Sequence, residues 1–250
     1  MPLDIPNLTS APNAKVARLN VQMRHHAAHD VMRVAVDAMP NLALVSSFGA
    51  ESVALLHLAS RVKKDLPVLF IDTEMLFPET LAYQREVALK LGLTRIKVIK
   101  AKNTATRDPG GQLHKTDTDA CCALRKTEPL QEALNGFDGW ITGRKRFQSG
   151  TRAQLPHFET EMTKDGAGTR IKVNPLAFWA AQDVQRYIEE NNLPRHPLVA
   201  RGFPSIGCAP CTSPVAAGED PRAGRWRDSG KDECGIHFVD GKAIRTGASI

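Results

Sequence analysis

Short apolar runs alternate along the chain with longer stretches in which apolar residues recur at helical spacing. The first run, residues 42–45, is followed by a small polar turn and by a helix-period stretch that extends to Arg61. The same order of strand, turn and helix then recurs. Further strands are predicted at Val68–Ile71, Ile96–Ile99 and residues 140–142, and further helices at Pro78–Leu91 and residues 120–134. This alternation predicts an α/β fold with an open, mostly parallel twisted sheet and helices on both faces.

The two ends of the chain differ from this middle part. Apolar positions between residues 14 and 39 recur at roughly helical spacing until Pro40 ends the run. Beyond Pro194 the periodicity is lost, although three of the five cysteines follow it. Before that point, residues 158–162 and 170–173 predict a hairpin, and residues 180–191 predict a helix. We therefore expect an N-terminal helical segment (1–40), an α/β domain (41–200) and an irregular C-terminal segment (201–250).

Composition narrows the class of protein. A chain of 250 residues that is 42% hydrophobic is long enough to bury one sizeable core. Lys and Arg exceed Asp and Glu by 33 to 27, which favours an anionic partner, a nucleic acid or a nucleotide, over a neutral one, although a solvated basic surface remains an alternative. Neither an export signal in the first ten residues nor an apolar run of bilayer length is visible, so we expect a cytoplasmic protein without a membrane partner.

Polar segments follow the first two predicted strands at one edge of the sheet. In open parallel sheets, ligands bind at the carboxyl ends of the strands, where turns expose backbone N–H groups to anions. The turn Ser-Ser-Phe-Gly-Ala-Glu-Ser at residues 46–52 fits that place, but it is neither a Walker loop nor a three-glycine fingerprint. Asp72 and Thr73 follow the second strand, where a nucleoside would sit or a helix would be capped. A phosphate site and a structural turn both remain open.

A basic loop follows the predicted strand at residues 140–142. Residues 143–152 read Gly-Arg-Lys-Arg-Phe-Gln-Ser-Gly-Thr-Arg, so their cations overhang the same edge of the sheet. Guanidinium groups suit the oxygens of phosphate and sulfate. A solvated loop, or a nucleic-acid patch around Phe147, is the alternative.

Four cysteines form two pairs. An odd total of five in an unexported chain argues against a disulfide framework and favours metal or redox chemistry. Cys121 and Cys122 open a predicted helix, and Cys208 and Cys211 form a CxxC turn. Four thiolates suit an iron-sulfur cluster or structural zinc, and a thioredoxin-like CxxC ranks third. Lys126, four residues after Cys122, lies on the same helix face, where a cation would tune thiolate ligands.

The fifth cysteine, Cys234, stands apart from both pairs. Arg222, Arg225 and Arg227 precede it. Positive neighbours lower the pKa of a thiol and also attract an anionic substrate. A nucleophile and an incidental cysteine are therefore the two interpretations of Cys234.

Taken together, these segments resemble the adenylyl-sulfate and phosphoadenylyl-sulfate reductase family. The resemblance spans the chain from the turn at residues 46–52 to His237. Two positions depart from the family pattern: Phe48 stands where a serine commonly precedes the turn glycine, and Glu74 stands where a glycine often follows the Asp-Thr pair. The matching segments are residues 46–52, Asp72-Thr73 with residues 77–80, Cys121-Cys122 with Arg125-Lys126, residues 143–152, Cys208–Cys211 and residues 233–237.

The resemblance implies an adenine nucleotide α-hydrolase-like fold with a nucleotide-binding middle domain and an irregular C-terminal catalytic tail. Its subgroup with a vicinal pair and a CxxC carries one 4Fe-4S cluster, here on Cys121, Cys122, Cys208 and Cys211, and prefers adenylyl sulfate. Cys234 is then the nucleophile that forms an S-sulfocysteine, with Lys126 and His237 as further catalytic residues. The implied substrate-binding residues are Ser46, Ser47, Gly49, Glu51, Asp72, Thr73, Arg144, Gln148, Arg152, Arg222 and Arg225.

The resemblance also implies partners. With four cysteines as cluster ligands, no second thiol is left to release sulfite, so thioredoxin or glutaredoxin is the expected reductant in sulfate assimilation. No nucleic acid is expected, and a homo-oligomer is left open. Three rival functions remain: a reductase with phosphoadenylyl-sulfate or dual specificity, an iron-sulfur tRNA-thiolating enzyme, and a zinc-stabilised nucleic-acid binder.

Overall fold

Six strands form one twisted sheet in the computed structural model, which describes residues 11–163, 166, 168–227, 238–239 and 242–243. In chain order they are β1 (Leu42–Ser46), β2 (Val68–Ile71), β3 (Ile96–Ile99), β4 (Gly139–Ile141), β5 (Phe158–Met162) and β6 (Thr169–Val173). Across the sheet the order is β3-β2-β1-β4-β6-β5. All neighbours are parallel except β5, which pairs antiparallel with β6 at one edge. The predicted open, mostly parallel sheet and its hairpin are confirmed.

The described helices connect and cover these strands. They are α1 (Ala11–Met23), α2 (Ala28–Ala38), α3 (Ser52–Val62), α4 (Pro78–Leu91), α5 (Thr104–Arg107), α6 (Leu113–Thr116), α7 (Thr118–Cys122), α8 (Glu128–Ala133) and α9 (Ala181–Glu190). The N-terminal segment consists of two helices with a break at residues 24–27. The helix predicted at residues 120–134 is interrupted by a π-helical turn, Ala123–Thr127. The polar stretch between Lys100 and Thr118 predicts a loop, and the structure has α5 and α6 there. Two short strands, β7 (Phe238–Val239) and β8 (Lys242–Ala243), pair antiparallel in the C-terminal segment.

Both faces of the central strands are buried. All five residues of β1 and all four of β2 are buried, which is why these strands read as continuous apolar runs without alternation. On one face, α1, α2, α3, α4 and α9 form the larger core with β1, β2, β4 and β6. On the other face, α8 packs against a smaller cluster centred on Trp140. None of the described helices is long and apolar enough to cross a membrane.

Two contacts hold the half of the sheet that contains β4, β5 and β6. Gly139 has no room for a side chain, because a Cβ atom there would lie 2.5 Å from the Ile171 carbonyl oxygen. At the outer edge, the Asn20 side chain of α1 donates to the Phe158 carbonyl oxygen (2.8 Å) and accepts from the Phe158 backbone N–H (2.9 Å). The strand β4, which precedes the basic loop, is thus fixed between β1 and a capped pair of strands.

Candidate functional site

A cavity of about 210 Å³ lies at the carboxyl ends of β1 and β4. Its walls are the turn after β1, the basic loop after β4 and a late segment comprising residues 204–226. The predicted residues that line it are Ser46, Ser47, Gly49, Glu51, Arg144, Gln148, Arg152, Arg222 and Arg225. The fold therefore brings together, in one place, side chains that the sequence separates by up to 179 positions.

The turn after β1 is held by packing beneath it. Phe48 has a positive φ of 48°, and its buried ring packs edge-on against Phe70 with 5.1 Å between the ring centroids. Its backbone N–H donates to Ser46 Oγ (3.1 Å). A Cβ atom on Gly49 would lie 3.1 Å from the Ile206 carbonyl oxygen, so the late segment approaches the turn closely. Phe48, which replaces the serine common in the family, therefore packs its larger side chain into the hydrophobic core.

The predicted arginines of the basic loop have different surroundings. Arg144 lines the cavity, yet its guanidinium group bonds to Glu159 and to Asn174 Oδ1, which joins the end of β4 to β5 and β6. Arg152 donates to the side chain of Gln148, which also accepts from the Lys145 backbone N–H (3.1 Å). The loop is thus internally braced around Gln148.

Lys145 is a cavity residue that the sequence did not single out. Its side chain is 4% exposed, and Nζ lies 2.8 Å from Glu51 Oε2 and 3.1 Å from the Gly143 carbonyl oxygen. Burial lowers the pKa of Lys145, against the opposing effect of Glu51. In the sequence, Lys145 is marked only by its position in the basic run. That position does not show which of the basic side chains points into the protein.

The four paired cysteines come together beside this cavity. Cys121, Cys122 and Cys208 are buried, and Cys211 is half-buried. Burial, and then the neighbouring Cys122 and Cys208, raise the pKa of Cys121 to about 11. Burial, and then Cys208, raise the pKa of Cys211. In the part of the chain that the structure describes, no group of three or more His, Cys, Asp or Glu side chains has the arrangement of a metal-ion site.

The segment after β2 holds the CxxC turn in place. The hydroxyl of Thr73 lies 3.2 Å from Cys208 Sγ, and the Ala209 backbone N–H donates to the Met75 carbonyl oxygen (2.8 Å). Burial raises the pKa of Cys208, but Lys126 and the Thr73 hydrogen bond outweigh it and lower that pKa. Lys126, predicted to act beside the cysteines, is therefore found there.

Asp72 and Thr73, predicted to bind the nucleoside, do not line the cavity. Asp72 accepts from the Glu74 backbone N–H (2.9 Å) and pairs with Lys100 (3.3 Å), whereas Thr73 faces the cysteine group. Glu74 has a φ of 61°. A positive φ is costly for residues other than glycine, which gives a physical reason for the glycine that the family often has there.

A buried arginine connects the π-helical turn to this region. Arg125 bonds twice to Asp108, at 2.9 and 3.3 Å, and donates to the Thr73 carbonyl oxygen (2.9 Å). A π-helical turn points the side chains of Arg125 and Lys126 in directions that a regular α-helix would not give them. Such turns are frequent at functional sites. The sequence included both residues in the resemblance but gave Arg125 no separate role.

The late segment forms a wall that the cavity and the cysteine group share. Arg225 pairs with Thr212 in an isolated β-bridge, and the Trp226 backbone N–H donates to the Cys211 carbonyl oxygen (3.2 Å). The Arg225 guanidinium lies 4.3 Å from the centre of the Trp226 ring. Trp226 lines the cavity and was not predicted; its only sequence signal was its place next to Arg225. Cys234 and His237 lie outside the described residues.

An open α/β sheet with an arginine-lined cavity at the carboxyl ends of its strands defines a class of proteins that bind nucleotides or other anions there. Residues 41–214 match the family model of the phosphoadenosine phosphosulfate reductase domain, and the chain belongs to that family. The resemblance drawn from the sequence is thereby confirmed.

Known proteins of this family align with most of the chain. An adenosine 5'-phosphosulfate reductase of Chelativorans sp. (strain BNC1) is 44% identical, and the alignment covers 94% of this chain and 97% of that protein. One from Mesorhizobium japonicum is 48% identical over 84% of this chain and 81% of its own length. The crystal structure of a phosphoadenylyl-sulfate reductase from Candida auris, a phosphate complex, is 31% identical, with a TM-score of 0.68 over 80% of this chain and 96% of that chain.

Proposed function

We propose that this protein reduces adenylyl sulfate to sulfite and AMP in sulfate assimilation, with thioredoxin or glutaredoxin as the source of electrons. The observation that supports this most directly is the shared wall of residues 204–226, which puts an arginine-lined cavity next to a group of four thiols. Relatives that align with nearly the whole chain carry the name of this activity. Reduced thiol partners of this kind belong to the cytoplasm, where we place the reaction.

The proposed nucleophile is Cys234. Its thiolate attacks the sulfur atom of adenylyl sulfate, an S–S bond forms, the S–O bond to the phosphate breaks, and AMP leaves with the bonding electron pair. A thiol of the reductant then attacks the resulting S-sulfocysteine and releases sulfite. The two electrons gained by sulfur come from thiols, which finish as a disulfide.

Cations around the cavity would hold the anionic oxygens. Arg152, Arg222 and Arg225 line it, and their charge would offset the negative charge that develops on the leaving phosphate. Lys126, which interacts with Cys208, and His237 are proposed to assist at the sulfate end. Ser46, Ser47 and Gly49 would offer hydroxyl and backbone N–H groups to the same oxygens.

We also propose that the four paired cysteines hold a 4Fe-4S cluster. The chemistry of the donor set fits, because four thiols from two segments are near enough to shift one another's pKa and thiolates are the usual ligands of such clusters, although within the described residues their side chains are not arranged as a metal-ion site. When bound, the cluster would supply a rigid connection between α7 and the CxxC turn. Arg125 and Thr73 would position its ligands through the contacts described above.

The 3'-phosphorylated nucleotide is the second candidate substrate. It is favoured by the structural relative from Candida auris, a phosphoadenylyl-sulfate reductase. Sulfite release from each nucleotide with reduced thioredoxin distinguishes the two. Faster release from the 3'-phosphorylated substrate would overturn the preference proposed for adenylyl sulfate.

Label transfer tests the proposed reaction. The anaerobic enzyme is mixed with adenylyl sulfate that carries radioactive sulfur, without reductant, and the label on the protein is measured. Wild type is expected to trap label that thioredoxin then releases as sulfite, whereas Cys234→Ser traps none. Equal labelling of the two proteins would refute the role of Cys234, and absence of label on both with no sulfite formed would refute the reaction.

A further inference from the structure

Lys145 and Glu51, which both line the cavity, form an ion pair. Glu51 is the residue directly before α3, and Lys145 is the fourth residue after β4. Their 2.8 Å contact therefore joins the two segments that follow β1 and β4, neighbouring parallel strands. The second acceptor of Lys145 Nζ is the Gly143 carbonyl oxygen, at the start of the same loop.

The carboxylate of Glu51 is unfavourable for an anionic ligand. It lines the cavity together with Ser46, Ser47 and Gly49, and its side chain is 24% exposed. A negative charge at this place would repel phosphate or sulfate oxygens that approach the N-terminal end of α3. Lys145 neutralises that charge from a position that is almost fully buried.

The same lysine is also tied to the substrate-facing cations. Its backbone N–H bonds to Gln148, whose side chain accepts from Arg152. Arg152 and Arg222 interact electrostatically with its ammonium group. A change at Lys145 therefore alters both the charge in the cavity and the position of the loop that carries Arg152.

We infer that Lys145 is a positioning residue that cancels the charge of Glu51 and so keeps the cavity attractive to the phosphate of the nucleotide. This inference rests on the proposed function, since it assumes that the cavity binds an adenine nucleotide through its phosphate. It also assigns Glu51 a different role from that of a substrate ligand: Glu51 anchors the basic loop to the turn after β1.

Four proteins that differ in the net charge of the Lys145–Glu51 pair distinguish this electrostatic role of Lys145 from a purely structural one. The pair is neutral in wild type and in Lys145→Met with Glu51→Gln, carries one negative charge in Lys145→Met, and carries one positive charge in Glu51→Gln. A unit charge about 6 Å away, at an effective dielectric constant of about 20, changes binding by on the order of 100-fold, and salt reduces this effect.

The experiment measures binding of AMP and of adenosine by isothermal titration calorimetry. AMP affinity is expected to fall at least about tenfold in Lys145→Met, to return to within about threefold of wild type in the double variant, and to equal or exceed wild type in Glu51→Gln. Adenosine, which lacks the phosphate, should bind all four proteins alike. The matched control is Lys102→Met, which removes an exposed lysine that pairs with Glu132, and it should bind AMP as wild type does.

Three outcomes would overturn the inference. They are unchanged AMP binding in Lys145→Met, equal losses of AMP and adenosine in that variant without recovery in the double variant, and a tenfold loss of AMP binding in Glu51→Gln. If Lys145→Met does not fold, AMP and adenosine binding by Glu51→Gln and by the double variant are compared with binding by wild type instead. Wild type that binds neither ligand would instead count against the proposed function.

Discussion

Gly207 lies against the guanidinium group of Arg225 with no room for a side chain. A Cβ atom there would be 2.5 Å from Arg225 Cζ. We expect Gly207→Ala to displace this guanidinium from the cavity and to lower kcat/KM for adenylyl sulfate by about 100-fold, because small misplacements of binding groups have effects of that size. Steady-state sulfite release measures the change.

The matched control for Gly207→Ala is Gly150→Ala. Gly150 lies in the basic loop, but a Cβ atom there meets nothing within 4 Å, so we expect activity close to that of wild type. If Gly207→Ala retains wild-type kcat/KM, Arg225 is not required at its present position.

At the scale of single residues, the sequence predicted well which residues lie near the site but not which contacts they make. Arg144 and Arg152 are found at the cavity, because strand ends fix where a following loop lies. Arg222 and Arg225, which only the family resemblance implied as binding residues, also line the cavity. Thr73, which was expected near a nucleoside, contacts Cys208, and no feature of the sequence indicated this contact. Which of two neighbouring side chains turns toward a cavity depends on backbone angles such as the positive φ of Glu74, and a sequence pattern does not specify these.

A buried histidine fixes α4 to the segment that leads into the CxxC turn. His196 is 1% exposed; Nδ1 accepts from the Leu198 backbone N–H (3.2 Å), so Nε2 carries the proton and donates to Thr80 Oγ1 (3.0 Å). Burial lowers the pKa of His196 to about 4, from an ordinary value of 6.5. Protonation would also turn Nδ1–H against the backbone N–H of Leu198.

The depressed pKa of His196 predicts a loss of stability in acid. Between pH 6.5 and about 4 the unfolded state binds this proton and the folded state does not, so the free energy of unfolding falls as pH falls. At pH 5 the loss relative to pH 7.5 is about 2 kcal/mol. Urea unfolding of wild type and His196→Asn at both pH values measures it: the difference between the two proteins should shrink by that amount at pH 5. The exposed His25→Asn serves as control, and an unchanged difference would contradict the prediction.

The elements themselves were largely predictable, because their apolar periodicity is strong. The strands of the sheet and α3, α4 and α9 were predicted to within about two residues, as is usual for pronounced patterns. The π-helical turn Ala123–Thr127 was missed, since its apolar spacing differs little from that of an α-helix. The contact of Asn20 with Phe158 was also missed, because it joins residues 138 positions apart through a single amide.

For the molecule as a whole, the two pairs of cysteines connect distant parts of the chain. Cys208 follows Cys122 by 86 residues, and the late segment between residues 204 and 226 carries one of these pairs and a wall of the cavity. If a cluster joins them, its binding free energy is part of the folding free energy. Removal of iron by a chelator is therefore expected to lower Tm by several degrees and to speed proteolytic cleavage within residues 204–226.

The control for iron removal is the double variant Cys121→Ser with Cys122→Ser, on which the chelator should have no further effect. Differential scanning calorimetry and mass spectrometry of the fragments provide the two readouts. An unchanged Tm and cleavage pattern in the chelated wild type would show that the thiols do not share a stabilising group.

The position of the late segment in the chain also determines when the site can be completed during synthesis. All six strands of the sheet lie before residue 174, so translation delivers them before the CxxC turn and the arginines of the shared wall exist. Cys121 and Cys122 therefore leave the ribosome well before Cys208 and Cys211. During this interval their thiols lack the CxxC turn that covers them in the finished protein and can be oxidised. Newly made chains should therefore be most vulnerable to oxidants in the interval before residue 211 emerges, and a finished molecule much less so.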